Sequence, residues 1–382
     1  MLIGIDASRT TVARRTGTEN YALSLTRELL ALGQGLADHR FRLYFNDPPP
    51  ADLIEGQAEQ RVIPFPRLWT HLRLSWEMVT RPPDLLFVPA HVLPLIHPRK
   101  SVVTVHDLGY LYYPEAHTRF QNAYLRWSTR YNARMAARVL ADSQATCDDL
   151  VRHYHIPANK IVVVYPGRDE GLAPVADPVA LSAVRARYGL TGPYFLHVGT
   201  LQPRKNLIRL LHAFASLLTS SLGPAVLLPE DLQLVITGKR GWLYDGLLAE
   251  IQKLGPAAEG RVVLTGYVPD ADLPALLSGA LAFAFPSLYE GFGFPVIEAM
   301  TCGAPVVCSN VSSLPEAAGD AALLVDPLDV ASLAAALARV ATDPGLRREL
   351  TERGFRQASR FSWRQAAHQV LKVLEEVGRE VH

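Results

Sequence analysis

Cysteine is scarce: the 382 residues hold only Cys147, Cys302 and Cys308, at separations that fit neither a disulfide framework nor a metal-ligand cluster. Buried, reduced thiols in a reducing compartment are expected. Long apolar runs are also missing. No stretch reaches the roughly 18 residues needed to cross a bilayer, and the opening Met1-Leu2-Ile3-Gly4-Ile5-Asp6 turns polar too soon for the apolar region of a signal peptide. The expected location is the cytoplasm, with at most peripheral contact at the inner membrane face. Neither sign of charge dominates, because 38 basic and 37 acidic residues leave +1, which argues against a nucleic-acid partner. Repeats of Ser, Gln or Gly are absent too, which excludes a fibrous or disordered chain.

What is present is a 49% apolar chain too long for one hydrophobic core, which predicts two domains. Short β-branched or aromatic runs at 2–5, 41–45, 85–88, 102–105 and 162–164 alternate with helical patterns, the signature of a parallel sheet with crossover helices. Between Tyr165 and Pro193 the pattern breaks at Pro166, Gly167, Gly171, Pro174 and Pro178, and only a short helical stretch is expected, near 181–188. A second series follows at 194–198, 232–237, 261–264, 281–285, 306–308 and 322–325. The reading is therefore α/β, with two Rossmann-like domains at 1–170 and 171–362. Ligands should sit beyond the carboxyl ends of the strands, so function should concentrate in the strand-to-helix loops.

The strongest signal spans Phe285 to Met300, where a strand gives way to Glu290-Gly291-Phe292-Gly293 and then to a helix opened by Pro295. The glycines allow close backbone approach, and the helix start offers amide hydrogens suited to phosphate. Glu298 lies far enough beyond Glu290 to sit about one turn into that helix, so one carboxylate can face a reacting sugar while the other reaches a ribose. An isolated pair of glutamates would more commonly be a turn and a cap, but the whole pattern is far more specific. It resembles the signature of the retaining glycosyltransferases of family 4, and the likeness extends over nearly the whole chain. That resemblance implies a GT-B fold, in which two Rossmann-like domains face each other across a cleft, 1–170 on the acceptor side and 171–362 binding the nucleotide sugar. It implies that Glu290 contacts the hydroxyls of the transferred sugar, that the amides of Gly291, Phe292 and Gly293 meet the diphosphate, and that Glu298 binds the ribose. It also implies that the last helix, 363–382, packs back on the first domain.

A second motif, His197-Val198-Gly199-Thr200 through Arg204-Lys205-Asn206, follows the first strand of the second series and opens a helix at 207–218. Cations there would offset the charge of a diphosphate. By the resemblance, Arg204 and Lys205 are the phosphate-binding pair and Gly199 lies against the donor. Many family members carry an arginine directly after this glycine, where this chain has Thr200, so the lysine assignment is firmer than the arginine one. A third signal is the strand ending in His106-Asp107, where the resemblance assigns His106 to the donor sugar. A fourth is the loop from Asp6 to Thr18, with Arg14, Arg15 and Thr16 ahead of Gly17, whose amide would meet the donor phosphate. Gly266-Tyr267-Val268 resembles the segment whose backbone reads the nucleobase.

Two features compete for attention. Asp270-Ala271-Asp272 matches the two-aspartate spelling of metal-dependent transferases of another fold, but it precedes a helical run and is read as helix capping, with no metal expected and no other cofactor. Arg126, Arg130, Arg134 and Arg138 recur at intervals of four, beside Trp127 and Tyr131, and are assigned to one helix that could dock on anionic lipid or a lipid-diphosphate acceptor. The expected partners are a nucleotide-diphosphate sugar and a glycan or lipid-linked acceptor. The wording of 17–29 and 199–206 looks most like bacterial mannosyltransferases, which makes GDP-mannose the first choice of donor and UDP-glucose the second. The rival readings are a sugar-nucleotide epimerase or hydrolase of the same fold, and a non-catalytic nucleotide-sugar-binding subunit.

Overall fold

The computed structural model describes residues 1–12, 17–34, 38–51, 53–54, 56–90, 92–219, 228–239, 241, 244–258 and 260–380. It divides into two units, one formed by Met1–Gly167 with Phe361–His382 and the other by Arg168–Arg360.

The first unit carries seven strands: β1 (Leu2–Asp6), β2 (Arg40–Phe45), β3 (Glu59–Val62), β4 (Leu85–Val88), β5 (Ser101–Val105), β6 (Arg138–Ala141) and β7 (Ile161–Val163). They pair in the order β3-β2-β1-β4-β5-β6-β7, all parallel. Central strands covered by helices on both faces are near-continuous apolar runs, and every residue of β4 and β5, including Ser101 and Thr104, is buried. The edge strand β3, Glu-Gln-Arg-Val, is exposed and charged, and Arg42 pairs with Glu59 across it. That polarity guards the edge against further pairing and hides the strand from a search for apolar runs.

Arg138 corrects the expected arginine helix. The helix Arg119–Met135 ends before it, Ala136 turns extended, and Arg138 opens β6, whose Val139, Leu140 and Ala141 are fully buried. The four-residue spacing of the arginines simply runs across a helix end that has no Gly or Pro to mark it. Arg126, Arg130 and Arg134 do lie exposed on the helix, with Trp127 stacked on Tyr131 at 5.4 Å.

The last helix, Trp363–Arg379, belongs to the first unit. Its apolar stripe, including Trp363, Val370, Leu374 and Val377, is buried. Trp363 meets the ring of Tyr21, on helix Gly17–Gly33, edge-on at 5.5 Å. A side chain at Gly167 would strike the Trp363 backbone at 2.2 Å, so only glycine fits where the chain passes this helix.

The second unit carries β8 (Tyr194–Val198), β9 (Gln233–Thr237), β10 (Val262–Gly266), β11 (Ala282–Phe285), β12 (Val306–Ser309) and β13 (Ala322–Val325), again all parallel, in the order β10-β9-β8-β11-β12-β13. Renumbered within the unit, this is the 3-2-1-4-5-6 order of a dinucleotide fold, whose strand order reverses between its first and fourth strands. The reversal falls between β8 and β11 here and between β1 and β4 in the first unit. The loops leaving those strands are where a ligand has room.

Candidate active site

In the second unit the two loops at the reversal are stitched together by Asn206. Its left-handed backbone (φ 60°) is tolerated by Asn better than by most residues. Its side chain donates to the carbonyls of Pro286 (3.0 Å) and Pro327 (2.7 Å), while the Leu288 amide donates to the Arg204 carbonyl (2.8 Å). The short turn Pro203–Lys205 is thereby held against the loop that follows β11.

This brings three sequence-predicted residues together. Glu290 accepts from Lys205 Nζ at 2.6 Å with one carboxylate oxygen and from Arg204 Nη1 at 2.7 Å with the other. Arg204 also donates to the Tyr289 carbonyl at 2.9 Å. Burial alone would raise the Glu290 carboxyl, but the charges of Lys205 and Arg204 outweigh it and hold its pKa down to about 2. Lys205 is itself buried, which lowers its pKa, and its ammonium lies 4.5 Å from the centre of the Phe285 ring. Thus Glu290 is ionised and each of its oxygens faces a cation.

The Glu290 backbone is fixed by two serines from the segment after β12. Ser312 and Ser313 hydroxyls donate to its carbonyl, at 2.5 and 2.9 Å, and its amide donates back to Ser312 Oγ at 3.1 Å. Neither serine was read as part of the site, because nothing local marks a clamp supplied from a different strand. His197 is fully buried, stacks on Phe285 at 5.5 Å and has Nδ1 3.0 Å from the Ala284 carbonyl. Burial and then the Lys205 charge push its pKa down to about 4, so it is neutral.

Past Glu290, Gly293 adopts φ 108° at the start of helix Phe294–Thr301, where a Cβ would come within 2.9 Å of Leu314. Pro295 occupies the first turn. The Phe292 side chain is buried and meets Phe294 edge-on, so only its backbone is left for a ligand. Glu298, half-buried on the same helix, has its pKa pushed up to about 7 by burial first and then by the charges of Asp169 and Asp270. Burial also raises the Cys302 and Cys308 thiols to about 12, which leaves them unreactive. Gly199 follows β8, its amide bonded to the Thr237 carbonyl, with Lys205 and His197 over its Cα. Val268 is buried just after β10, beside the exposed Tyr267.

The capping role expected of Asp272 is corrected. It stands at the N-cap position of helix Leu273–Ser278 but makes no capping bond. Its carboxylate accepts instead from Arg187 (2.6 Å) and the Tyr188 hydroxyl (2.7 Å), which turns it away from the helix amides.

In the first unit His106 directly follows β5 with both ring nitrogens engaged. Nδ1 lies 2.6 Å from Asp142 and Nε2 lies 2.9 Å from the Pro89 carbonyl. Both partners are acceptors, so the ring must carry two protons to satisfy them. Burial opposes that charge, but Asp142 outweighs it and the pKa is raised. Asp142, buried at the end of β6, escaped notice in the sequence because it is distant from His106 along the chain. Asp107 accepts from the Gly109 amide at 2.9 Å in a local turn. Gly17 is the first residue of helix Gly17–Gly33, and Arg14, Arg15 and Thr16 lie outside the described residues.

Comparison with known proteins identifies the family. Residues 15–171 match the family described as Glycosyltransferase Family 4, and residues 185–357 match Glycosyl transferases group 1. The O-antigen chain mannosyltransferase B of Escherichia coli is 36% identical over 71% of this chain and 69% of its own length. The serotype-specific mannosyltransferase WbdA of Escherichia coli is 31% identical over 72% of this chain, which spans only 33% of that longer protein. Among solved structures, a sucrose-phosphate synthase from Thermosynechococcus elongatus superposes with a TM-score of 0.74 over 98% of both chains at 22% identity, a likeness of fold. With two Rossmann-like units of the GT-B type and a glutamate bracketed by two cations at the strand reversal, the chain belongs to glycosyltransferase family 4 and is a glycosyltransferase similar to the mannosyltransferases.

Proposed function

We propose that the chain transfers mannose from GDP-mannose to a hydroxyl of a glycan acceptor with retention of anomeric configuration. The observation that carries this reading is the Glu290 carboxylate held between Arg204 and Lys205. On donor binding the diphosphate takes over the two cations, and Glu290 is released to accept hydrogen bonds from sugar hydroxyls. The bond from the anomeric carbon to the phosphate oxygen breaks as negative charge builds on the departing diphosphate. Arg204, Lys205 and the amides of Gly291, Phe292 and Gly293 stabilise that charge, an interaction stronger in the transition state than in the ground state. The acceptor oxygen bonds to the anomeric carbon on the face the diphosphate leaves, and its proton passes to the leaving oxygen. Glu298 takes the ribose, the backbone at Val268 the base, and Gly199 lies along the donor. His106 orients the sugar by exchanging its Nε2 contact with the Pro89 carbonyl for a sugar hydroxyl, and the helix-opening Gly17 meets the phosphate. The exposed Arg126, Arg130 and Arg134 give the helix Arg119–Met135 a surface suited to an anionic membrane.

Incubation with GDP-mannose, UDP-glucose and other nucleotide sugars, with and without mannose-containing glycans, tests the reading. Acceptor-dependent release of GDP and an α-linked product from an α-linked donor are expected. Lys205→Ala should lower kcat by about 100-fold or more while the melting transition persists. Near-normal turnover of that variant would overturn the assignment of Lys205.

A further inference from the structure

Arg99 stands two residues before β5, Arg138 opens β6, and Pro157, Asn159 and Lys160 precede β7. Because these strands are parallel neighbours, the five residues gather at the amino edge of the first unit's sheet. With Glu380, just past the last helix, they wall a cavity of about 500 Å³. His106 follows β5 at the opposite edge, on the order of 20 Å away at the rise of an extended strand. None of the residues given roles in the transfer lines this cavity.

Three cations meet one carboxylate there. Arg138 Nη2 donates to Glu380 at 2.7 Å, and its Nη1 donates to the Ala137 carbonyl at 3.0 Å. Lys160 Nζ donates to a main-chain carbonyl, that of Arg134, at 2.7 Å and makes no ion pair among the described residues. Arg99, which is exposed, makes none among them either. Burial and then the charge of Arg138 push the Lys160 pKa down, as expected of an ammonium short of negative charge. Like charges gathered on a concave wall raise the local concentration of anions. Glu380 answers only one of the three cations, so two positive charges are left uncompensated.

We infer that this cavity binds a small soluble anion carrying two phosphate groups, held by Arg99, Arg138 and Lys160, and that Glu380 competes with it for Arg138. A monocarboxylate would only repeat what Glu380 already does, whereas a diphosphate carries enough charge to answer all three cations. Its oxygens suit the forks of two guanidinium groups, and an ammonium serves as a point charge between them. The Asn159 amide adds a neutral donor. The remaining wall is Ala136, Ala137 and Pro157, with no large apolar side chain to receive an acyl chain, which favours a soluble ligand over a lipid headgroup.

Calorimetric titration of inorganic pyrophosphate into the full chain at physiological salt tests the site. Lys205→Ala, which disables the cation pair of the candidate active site, separates the two. The wild type should bind in the sub-millimolar range at a site that survives Lys205→Ala. Arg99→Gln and Lys160→Gln should each weaken that binding by about tenfold without moving the melting temperature. Glu380→Gln should tighten it by about tenfold, because the internal competitor is gone. Absence of binding to the wild type, its complete loss in Lys205→Ala, or binding that Arg99→Gln and Lys160→Gln leave unchanged each overturns the site. Weaker binding by Glu380→Gln overturns the competition. Retention on phosphatidate vesicles with no response to pyrophosphate would hand the cavity to a lipid headgroup and overturn the soluble ligand.

Discussion

Glu298, proposed to take the ribose of the donor, would join protonation to ligand binding. Its pKa near 7 means that it is mostly neutral at pH 6 and mostly ionised at pH 8. An ionised carboxylate accepts hydroxyl hydrogen bonds roughly twice as strongly as a neutral group. The affinity for GDP-mannose should therefore rise by up to about tenfold between pH 6 and pH 8, and Glu298→Gln should flatten that profile; calorimetry at the two pH values reads the difference. The sign for stability is opposite. Between the ordinary carboxyl pKa and 7 the folded protein holds a proton that the unfolded chain releases, so the stability from Glu298 falls as pH rises through that window. Glu290 behaves in the reverse sense. Its carboxyl is held down to about 2, so its pairing with Lys205 and Arg204 survives throughout the neutral range.

At the level of elements, the strands of the second unit were legible to within about two residues because each is a short apolar run between loops, as at β8 and β13. β3 and β6 were not. The first is polar because it is an edge, and the second opens with an arginine whose spacing imitates a helix. The candidate-site motif stands out for a different reason, since Glu290, Gly293, Pro295 and Glu298 lie in one strand-turn-helix segment. The Ser312 and Ser313 clamp and the Asp142 partner of His106 come from other strands, and only tertiary pairing reveals them. Helix Arg119–Met135 carries its own prediction. With Arg126, Arg130 and Arg134 exposed beside Trp127, replacing Arg126 and Arg130 by Glu should weaken binding to vesicles containing about a third phosphatidylglycerol by tenfold or more, since each cation contributes about 1 kcal/mol near an anionic surface. Sedimentation with the vesicles measures it, and unchanged binding would remove the membrane role from this helix.

Across the whole molecule, the chain leaves its first unit at Gly167 and returns to it at Phe361. The returning helix is part of that unit's packing. Trp363 fills the space between Tyr21 and the backbone at Gly167, and the buried stripe behind it runs to Val377. Trp363→Ala should destabilise the first unit by about 3–5 kcal/mol through the cavity it leaves. Hydrogen exchange provides the check. Amides of helix Gly17–Gly33 should lose protection while those of β8, β9 and β11 keep theirs; uniform loss in both units would mean that they unfold together.

The bracketed carboxylate has one more consequence, for the solution in which the enzyme works. Cells are rich in inorganic phosphate, and an arginine and a lysine left bare would collect it. Here an internal anion already occupies both, so an incoming ion must first evict Glu290 and leave it buried without a partner. Orthophosphate at neutral pH keeps one or two P–OH groups, but its net negative charge repels that carboxylate. A sugar diphosphate brings hydroxyls as well, and so resettles the displaced glutamate in the same event. On the proposed donor binding, this pairing disfavours a bare phosphate ion before any substrate arrives.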